Sequence, residues 1–418
     1  MRMVWRLCMQ KTSNVLPIVL IGALLAVFIG LTIFNYRFAV QNPGGNDFLV
    51  YWIGARFWLK EGISPYSEEV RVATQEMILG RPPQEGDAEN LFVYPLYSMV
   101  FFAPFGLMDF TLARAIWTTI VEISVVILVF VSFRVTGWRV SMGKAALLVL
   151  FCVLWYHGIR NIILGQYAAV NALLIVFAFA LIQQKQDVPA GILLALTTSK
   201  PTMVFLLIPF IMLWAFSTRR WGILQGALVS VIVLFLAMMA LMPDWPLQWI
   251  YRVLDYPTAT EYTLLDSPLS YITSLMPGIE STLTPALHVI AGLYLLTEWV
   301  LAWGKDYKHF LWTAGMTLVI TNLIAYRTAT TNYMALIPIL FLIFRVWEYR
   351  WKGLGVVAVW LTLIVLCALF ITTVRGFLVA PFMYLPLPCF CLIGLWWVRL
   401  WAMRPDRLMF DEFAARLG

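Results

Sequence analysis

Apolar runs close to twenty residues long recur along this chain, separated by short polar gaps. About 20 apolar residues is the length an α-helix needs to cross the hydrocarbon core of a bilayer. The runs lack the period-2 alternation of an outer-membrane barrel strand, so helices are predicted. They fall near 15–36, 111–133, 145–164, 167–183, 188–199, 202–216, 222–242, 286–303, 310–325, 332–346, 353–373 and 378–400. That is about 11–12 transmembrane helices, several of them short. A further apolar piece, 94–108, is expected to be re-entrant or surface-lying. The first run is too long for the core of a signal peptide and lacks an obvious small-residue cleavage site, so it reads as a retained helix. The fold class is an all-α polytopic membrane protein, with 1–418 a single transmembrane domain.

Composition agrees with this reading. The chain is 62% hydrophobic and only 12% charged, where average soluble chains carry about 25% charge. The charges sort by side. Short gaps are basic: Arg134, Arg139 and Lys144; Arg219 and Arg220; Lys305 and Lys308; Arg345, Arg350 and Lys352. The positive-inside rule makes these gaps cytoplasmic. Two longer loops differ. Residues 37–93 hold eight acids and five bases, and 243–285 hold five acids and one base. Both are placed outside, with short interfacial helices expected in the first. The predicted location is the cell membrane, multi-pass, with both termini cytoplasmic. The net charge of +7 lies in the membrane-flanking gaps, which argues against a nucleic-acid partner. The five cysteines (Cys8, Cys152, Cys367, Cys389, Cys391) fall mostly in apolar runs and form no disulfide or metal framework. The three histidines are scattered, so no metal is assigned, and no nucleotide-binding glycine motif is present. No cofactor is indicated, although a divalent metal stays compatible with the sequence.

This topology gathers four features on the outer side: the loop with Asp47, the turn 163–171, the break TTSKP at 197–201, and the segment 325–333. Asp47 sits about ten residues past the first helix, followed by Phe48, Tyr51, Trp52, Phe57 and Trp58. A carboxylate there can act as a general base if an attacking hydroxyl comes within hydrogen-bond reach; the bland alternative is a solvated loop acid. Lys200 interrupts two apolar stretches, where a lysine is costly and faces a polar cavity or snorkels to the headgroups. Its natural ligand is a phosphate. Arg160 and Arg327 are further phosphate candidates, or interfacial anchors. Gln166 and Asn171 flank the turn near Arg160, and Asn332 and Tyr333 stand close to Arg327. Glu122 and Glu298 lie inside apolar helices but form no proton path, so protonated or paired structural roles are expected.

In their order these pieces resemble the polytopic glycosyltransferases of the C superfamily (GT-C), and most of all the family-87 type related to polyprenyl-phosphate-mannose-dependent mannosyltransferases. The pieces are DFLVYWIGARFWLKEGISPY, with Asp47, Tyr51, Trp52, Gly62, Pro65 and Tyr66 matching; FVYPLYSMVFFAPFGLM, with Tyr94 matching and Leu96 in place of a second proline; GQYAAVN; and AGILLALTTSKP. The late outer segment YRTATTNY departs, with Asn332 and Tyr333 where that family tends to carry histidines. The resemblance implies a GT-C-type fold and a polyprenyl-phosphate sugar donor, mannose in those enzymes, with a lipid or glycan acceptor. It implies Asp47 as base and inversion at the anomeric carbon. It also implies Lys200, with Arg160 or Arg327, at the leaving phosphate, and Tyr51, Trp52, Tyr66, Tyr94, Gln166, Asn171, Asn332 and Tyr333 around the substrates. The competing class is a transporter or flippase of a lipid-linked or anionic substrate, which broken helices also suit; against it, no repeat relates the two halves. A structural scaffold is the third option, and it leaves the gathering of Asp47 and Lys200 unexplained.

Overall fold

In a computed structural model of the chain, residues 15–44, 46–84, 87, 89–259, 267–326, 328–376 and 381–402 are described; Arg327 lies outside them. The described residues form helices and connecting turns, without strands. In chain order the helices are α1 (Val15–Gln41), α2 (Asp47–Glu61), α3 (Glu68–Leu79), α4 (Met99–Gly106), α5 (Phe110–Thr136), α6 (Met142–Leu154), α7 (Tyr156–Leu164), α8 (Ala168–Gln183), α9 (Asp187–Thr197) and α10 (Leu207–Ser217). They continue as α11 (Trp221–Leu241), α12 (Trp245–Ala259), α13 (Pro268–Thr273), α14 (Glu280–Leu301), α15 (Tyr307–Ile324), α16 (Ile337–Trp351), α17 (Gly353–Val374), α18 (Pro381–Tyr384) and α19 (Pro386–Ala402). Short 3-10 turns at Leu96–Ser98, Pro201–Met203 and Thr330–Leu336 lead into α4, α10 and α16.

Each of the twelve expected runs is helical, but the helices are unequal. Among the described residues six are long and apolar enough to cross a membrane alone, and the pair α6–α7, bent by 56°, is a broken span or a re-entrant loop. The break falls after Trp155, whose extended backbone (ψ 155°) ends α6. The protein is thus a multi-pass membrane protein. α9 and α10 have 11 residues each, which reach only about 16 Å at 1.5 Å per residue, half the hydrocarbon core. The chain runs out along α9 and back along α10, with Lys200 in the turn outside both helices, and Arg220 pairs with Asp187 where the start of α9 meets the end of α10. The piece around 94–108 becomes Leu96–Gly106, likewise too short to cross.

Burial sorts the helices into layers. α15 is buried without interruption from Phe310 to Leu323, and so is the stretch Thr330–Val346 through α16. Helices apolar on all sides belong in the interior. By contrast α1, α11, α14 and α17 leave most of their surface uncovered. Close backbone packing joins α9 to α11. A Cβ on Gly191 of α9 would stand 2.3 Å from the Ile223 carbonyl oxygen of α11, and one on Gly226 would stand 2.4 Å from that of Val188. Small residues of this kind let helix backbones touch inside membranes. The intramembrane acids have partners: Glu298 of α14 pairs with Arg399 of α19 at 2.9 Å, and Glu122 accepts from Asn35 at 2.9 Å.

The basic gaps meet in two clusters. Lys144 pairs with Glu348, which also accepts from the Trp138 indole at 2.9 Å. Trp214 donates to the Lys305 carbonyl at 3.0 Å, beside the Asp187–Arg220 pair. α5 starts near the loop that carries Asp47, where Arg114 donates to the Asn42 and Gly44 carbonyls at 2.9 and 3.2 Å, and ends in the first basic cluster. At 27 residues it runs about 40 Å, so the basic end and the Asp47 end are a membrane's thickness apart.

Candidate active site

The loop after α1 does more than skim a surface. Residues Phe48 to Ala55 of α2 are all buried, so the helix that begins at Asp47 is driven into the protein. Aromatic packing holds it there. Phe48 stacks on Trp117 of α5 at 5.4 Å, and Tyr51 stacks on Phe102 of α4 at 4.3 Å. The turn after α7 descends on the first residues of α2. Gly165 ends α7 with φ +62°, and a Cβ there would lie 2.8 Å from the Phe48 Cβ, so glycine is required on both counts. Trp117 donates to the Gly165 carbonyl at 2.7 Å, and Asn46 donates to that of Ile163 at 3.1 Å. The residue after Gly165 is therefore held against the start of α2.

That residue is Gln166. Its amide nitrogen donates to Asp47 Oδ2, and its Oε1 accepts from Lys200 Nζ at 3.1 Å. Only this orientation of the carboxamide satisfies both neighbours, since a carboxylate solely accepts and an ammonium solely donates. The relay continues: Lys200 Nζ lies 3.4 Å from the Tyr94 hydroxyl, which shares a 2.9 Å hydrogen bond with Tyr51. Tyr66 donates to the Tyr94 carbonyl at 2.7 Å and fixes that strut. Asp47 is partly buried; burial raises its pKa, against the opposing pull of the Gln166 hydrogen bond and the Lys200 and Arg160 charges. Lys200 is only 4% exposed. Burial lowers its pKa to about 8, with the Asp47 charge acting the other way.

The relay forms one wall of a cavity of about 300 Å3. Tyr94, Gln166 and Lys200 stand on it, and Asp47 sits behind Gln166. The opposite wall is the turn Thr328–Ala329 with Asn332, which is 2% exposed. Asn332 Nδ2 donates to Thr328 Oγ1 at 2.8 Å, while its Oδ1, among the described residues, has no hydrogen-bond partner. A third wall is α12, through Trp249, Val253 and Tyr256. Trp249 is tied to the segment before α4 by a 3.0 Å bond to the Val93 carbonyl. Among the described residues no three His, Cys, Asp or Glu side chains gather to hold a metal ion.

The other candidates lie off the cavity. Arg160 is exposed and donates to the Tyr156 hydroxyl at 2.8 Å; it reaches Asp47 only through its field. Asn171 is buried in α8 and donates to the Met203 sulfur at 3.6 Å, beneath the turn that carries Lys200. Trp52 is buried and donates to the Met108 carbonyl at 3.2 Å. Tyr333 donates to the Tyr384 carbonyl at 2.9 Å and packs against His157. These side chains support the site's walls. The α12 residues are not among the sequence candidates, because the charge of the 243–285 loop says only on which side it lies. Their spacing, 249, 253 and 256, is a one-face helical signal within it.

Together these features define a class: a polytopic membrane protein with a buried acid–amide–lysine relay on a cavity at one end of its bundle. The sequence profile of glycosyltransferase family 87 matches residues 92–326, more than half of the chain, and the protein belongs to that family. It is a membrane glycosyltransferase. The matched stretch carries Tyr94, Gln166 and Lys200, while Asp47 precedes it. No curated protein and no solved structure matches the chain.

Proposed function

We propose that this enzyme moves a sugar, mannose by the family resemblance, from a polyprenyl-phosphate donor to an acceptor hydroxyl on the outer face of the cell membrane. The observation that supports the reading is the Asp47–Gln166–Lys200 relay, with Gln166 and Lys200 on the cavity wall and Asp47 behind Gln166, so that a base and a cation stand one carboxamide apart. The cavity, about 300 Å3, is at the low end of ligand pockets. It has room for a sugar and its phosphate, with the prenyl chain left in the lipid. The basic clusters at the far end support cytoplasmic termini and an outward-facing site.

In the proposed reaction the acceptor oxygen attacks the anomeric carbon as its bond to the phosphate oxygen breaks, with inversion. The hydroxyl proton passes to Asp47 Oδ1, while Gln166 holds Oδ2 in place. The bonding pair departs with the phosphate, and Lys200 stabilises the charge that develops on polyprenyl phosphate. Asn332 Oδ1 accepts from a sugar hydroxyl, and Tyr94 donates to the sugar or phosphate. Arg160 contributes through its field. No nucleotide and no cofactor take part. The acceptor is a lipid or glycan.

The test is release of polyprenyl phosphate from polyprenyl-phosphate mannose by the full-length protein in nanodiscs, with a total membrane-lipid and glycan extract as acceptor source. Asp47→Asn is expected to abolish release and leave thermal unfolding unchanged. Release at the wild-type rate would remove Asp47 from the role of base.

A further inference from the structure

α12 presents a second polar face. Trp249, Val253 and Tyr256 look into the site cavity, whereas Gln248, Tyr251, Arg252 and Asp255 line another cleft, of about 410 Å3, closed on its far side by Tyr66 and Ser67 of the first outer loop. Residues 248, 251, 252 and 255 are spaced by three or four and so share a face of the helix. The two loops are joined across the cleft: Arg252 Nη2 donates to the Tyr66 carbonyl at 2.5 Å, and Ser64 donates to Gln248. Tyr66 belongs to both hollows. Its backbone carbonyl accepts from Arg252 at the cleft, and its hydroxyl holds the carbonyl of Tyr94, a residue of the site cavity.

The two hollows differ in charge. The site cavity contains the Lys200 ammonium, suited to a phosphate. In the cleft Arg252 is matched by Asp255 at 3.3 Å, and the neighbouring Arg71 is matched by Glu68. Balanced charges give an anion no net attraction. What the cleft does offer is the Tyr251 ring, a carboxamide, a hydroxyl and a paired guanidinium and carboxylate. This is a flat apolar face beside directional donors and acceptors, the complement of a neutral sugar with its C–H faces and hydroxyls. Tyr251 is 70% exposed, so its ring is open to a ligand.

We propose that this cleft binds the sugars that precede the reacting one in a glycan acceptor, a neutral oligosaccharide chain whose end passes over Tyr66 into the site cavity. The inference rests on the transferase reading above and selects the glycan alternative for the acceptor. Leu247, Ile250 and Leu254 form an exposed apolar edge beside the cleft, so Tyr251 could instead be one more lipid-facing side chain, and Leu254 supplies the control.

The experiment uses the full-length protein in nanodiscs with octyl glycosides of mono- and tetrasaccharides of mannose, glucose and galactose as acceptors. Tyr251→Ala is expected to raise KM for the best tetrasaccharide about two- to tenfold, the loss of one aromatic contact. KM for the monosaccharide and the donor, and kcat, stay unchanged, and Leu254→Ala is silent. Equal KM in Tyr251→Ala, an equal effect of Leu254→Ala, or no tetrasaccharide advantage in the wild type overturns the proposal. Saturation-transfer NMR of the tetrasaccharides gives the same comparison without turnover. Absent transfer with Tyr251-dependent binding would therefore refute the reaction and not the cleft; absence of tetrasaccharide binding refutes the cleft.

Discussion

Lys200→Met separates the chemistry assigned to the relay from its structural part. Methionine keeps the length of the side chain and removes the charge. Two opposing effects act on stability. Gln166 Oε1 loses its 3.1 Å donor, and an orphaned buried acceptor costs about 1–3 kcal/mol. The burial of an ammonium that is 4% exposed is relieved at the same time. The fold should survive with a small change in Tm. Activity should not. Loss of one donor aimed at developing charge typically costs about 10²- to 10³-fold in kcat. The pH profile carries the sharper signature. Asp47 must be deprotonated to act; burial raises its pKa, so the wild-type rate falls on the acid side above the ordinary carboxylate range. Lys200 must be protonated; with its pKa lowered to about 8, the rate falls again as pH rises through that value. In Lys200→Met the alkaline limb should disappear. The acid limb should move to higher pH, because the ammonium is one of the charges that hold the Asp47 pKa down. Single-turnover donor cleavage in nanodiscs across the pH range measures both limbs. An alkaline limb that persists unchanged, or a rate loss under about tenfold, would refute the assignment of Lys200 to the phosphate.

Three further outcomes test the surroundings of the relay. Asn332→Leu removes a cavity-lining amide whose buried Oδ1 has no hydrogen-bond partner among the described residues; it should raise donor KM about tenfold, as a lost hydrogen bond of about 1.5 kcal/mol requires, with thermal stability retained, and an unchanged KM takes Asn332 out of the sugar site. Gly191→Val sets a side chain 2.3 Å from the Ile223 carbonyl oxygen; the overpacking should cost about 1–3 kcal/mol and, by shifting α9, lower donor cleavage, whereas wild-type thermal unfolding would show that the two helices can part freely. Arg399→Met strands Glu298, which is 2% exposed. Because Arg399 is itself about a third exposed, the loss should stay below the 3–5 kcal/mol of a fully buried pair, and adding Glu298→Gln should restore most of it; no recovery in the double variant would mean that the pair is not what stabilises α14 on α19.

Polar side chains were the legible part of this protein because they are so few. In a chain with 12% charged residues, a lysine beside a helix break and a glutamine at a helix end need partners, and charge asymmetry was enough to put Asp47, Gln166, Lys200 and Asn332 at one end of the bundle. Helix lengths were harder to read. Hydropathy registers that 188–199 and 202–216 are apolar, but not that each stops after 11 residues, and it joins α6 to α7 across a break that contains neither proline nor glycine. Which polar residues face the cavity was harder still. Asn171 and Gln166 look alike in sequence, yet Asn171 turns inward to Met203 while Gln166 leaves the helix at the Gly165 turn and meets both Asp47 and Lys200. That difference comes from one left-handed glycine packed against Phe48, a contact between residues more than a hundred positions apart. A local contact explains why the departure at YRTATTNY does not empty the site. Asn332 still reaches the cavity wall, held by Thr328 four residues earlier, while Tyr333 turns away to Tyr384. The amide that remains is uncharged; among the described residues Lys200 is the cation that lines the cavity, and the proposed contact with a leaving phosphate falls to it.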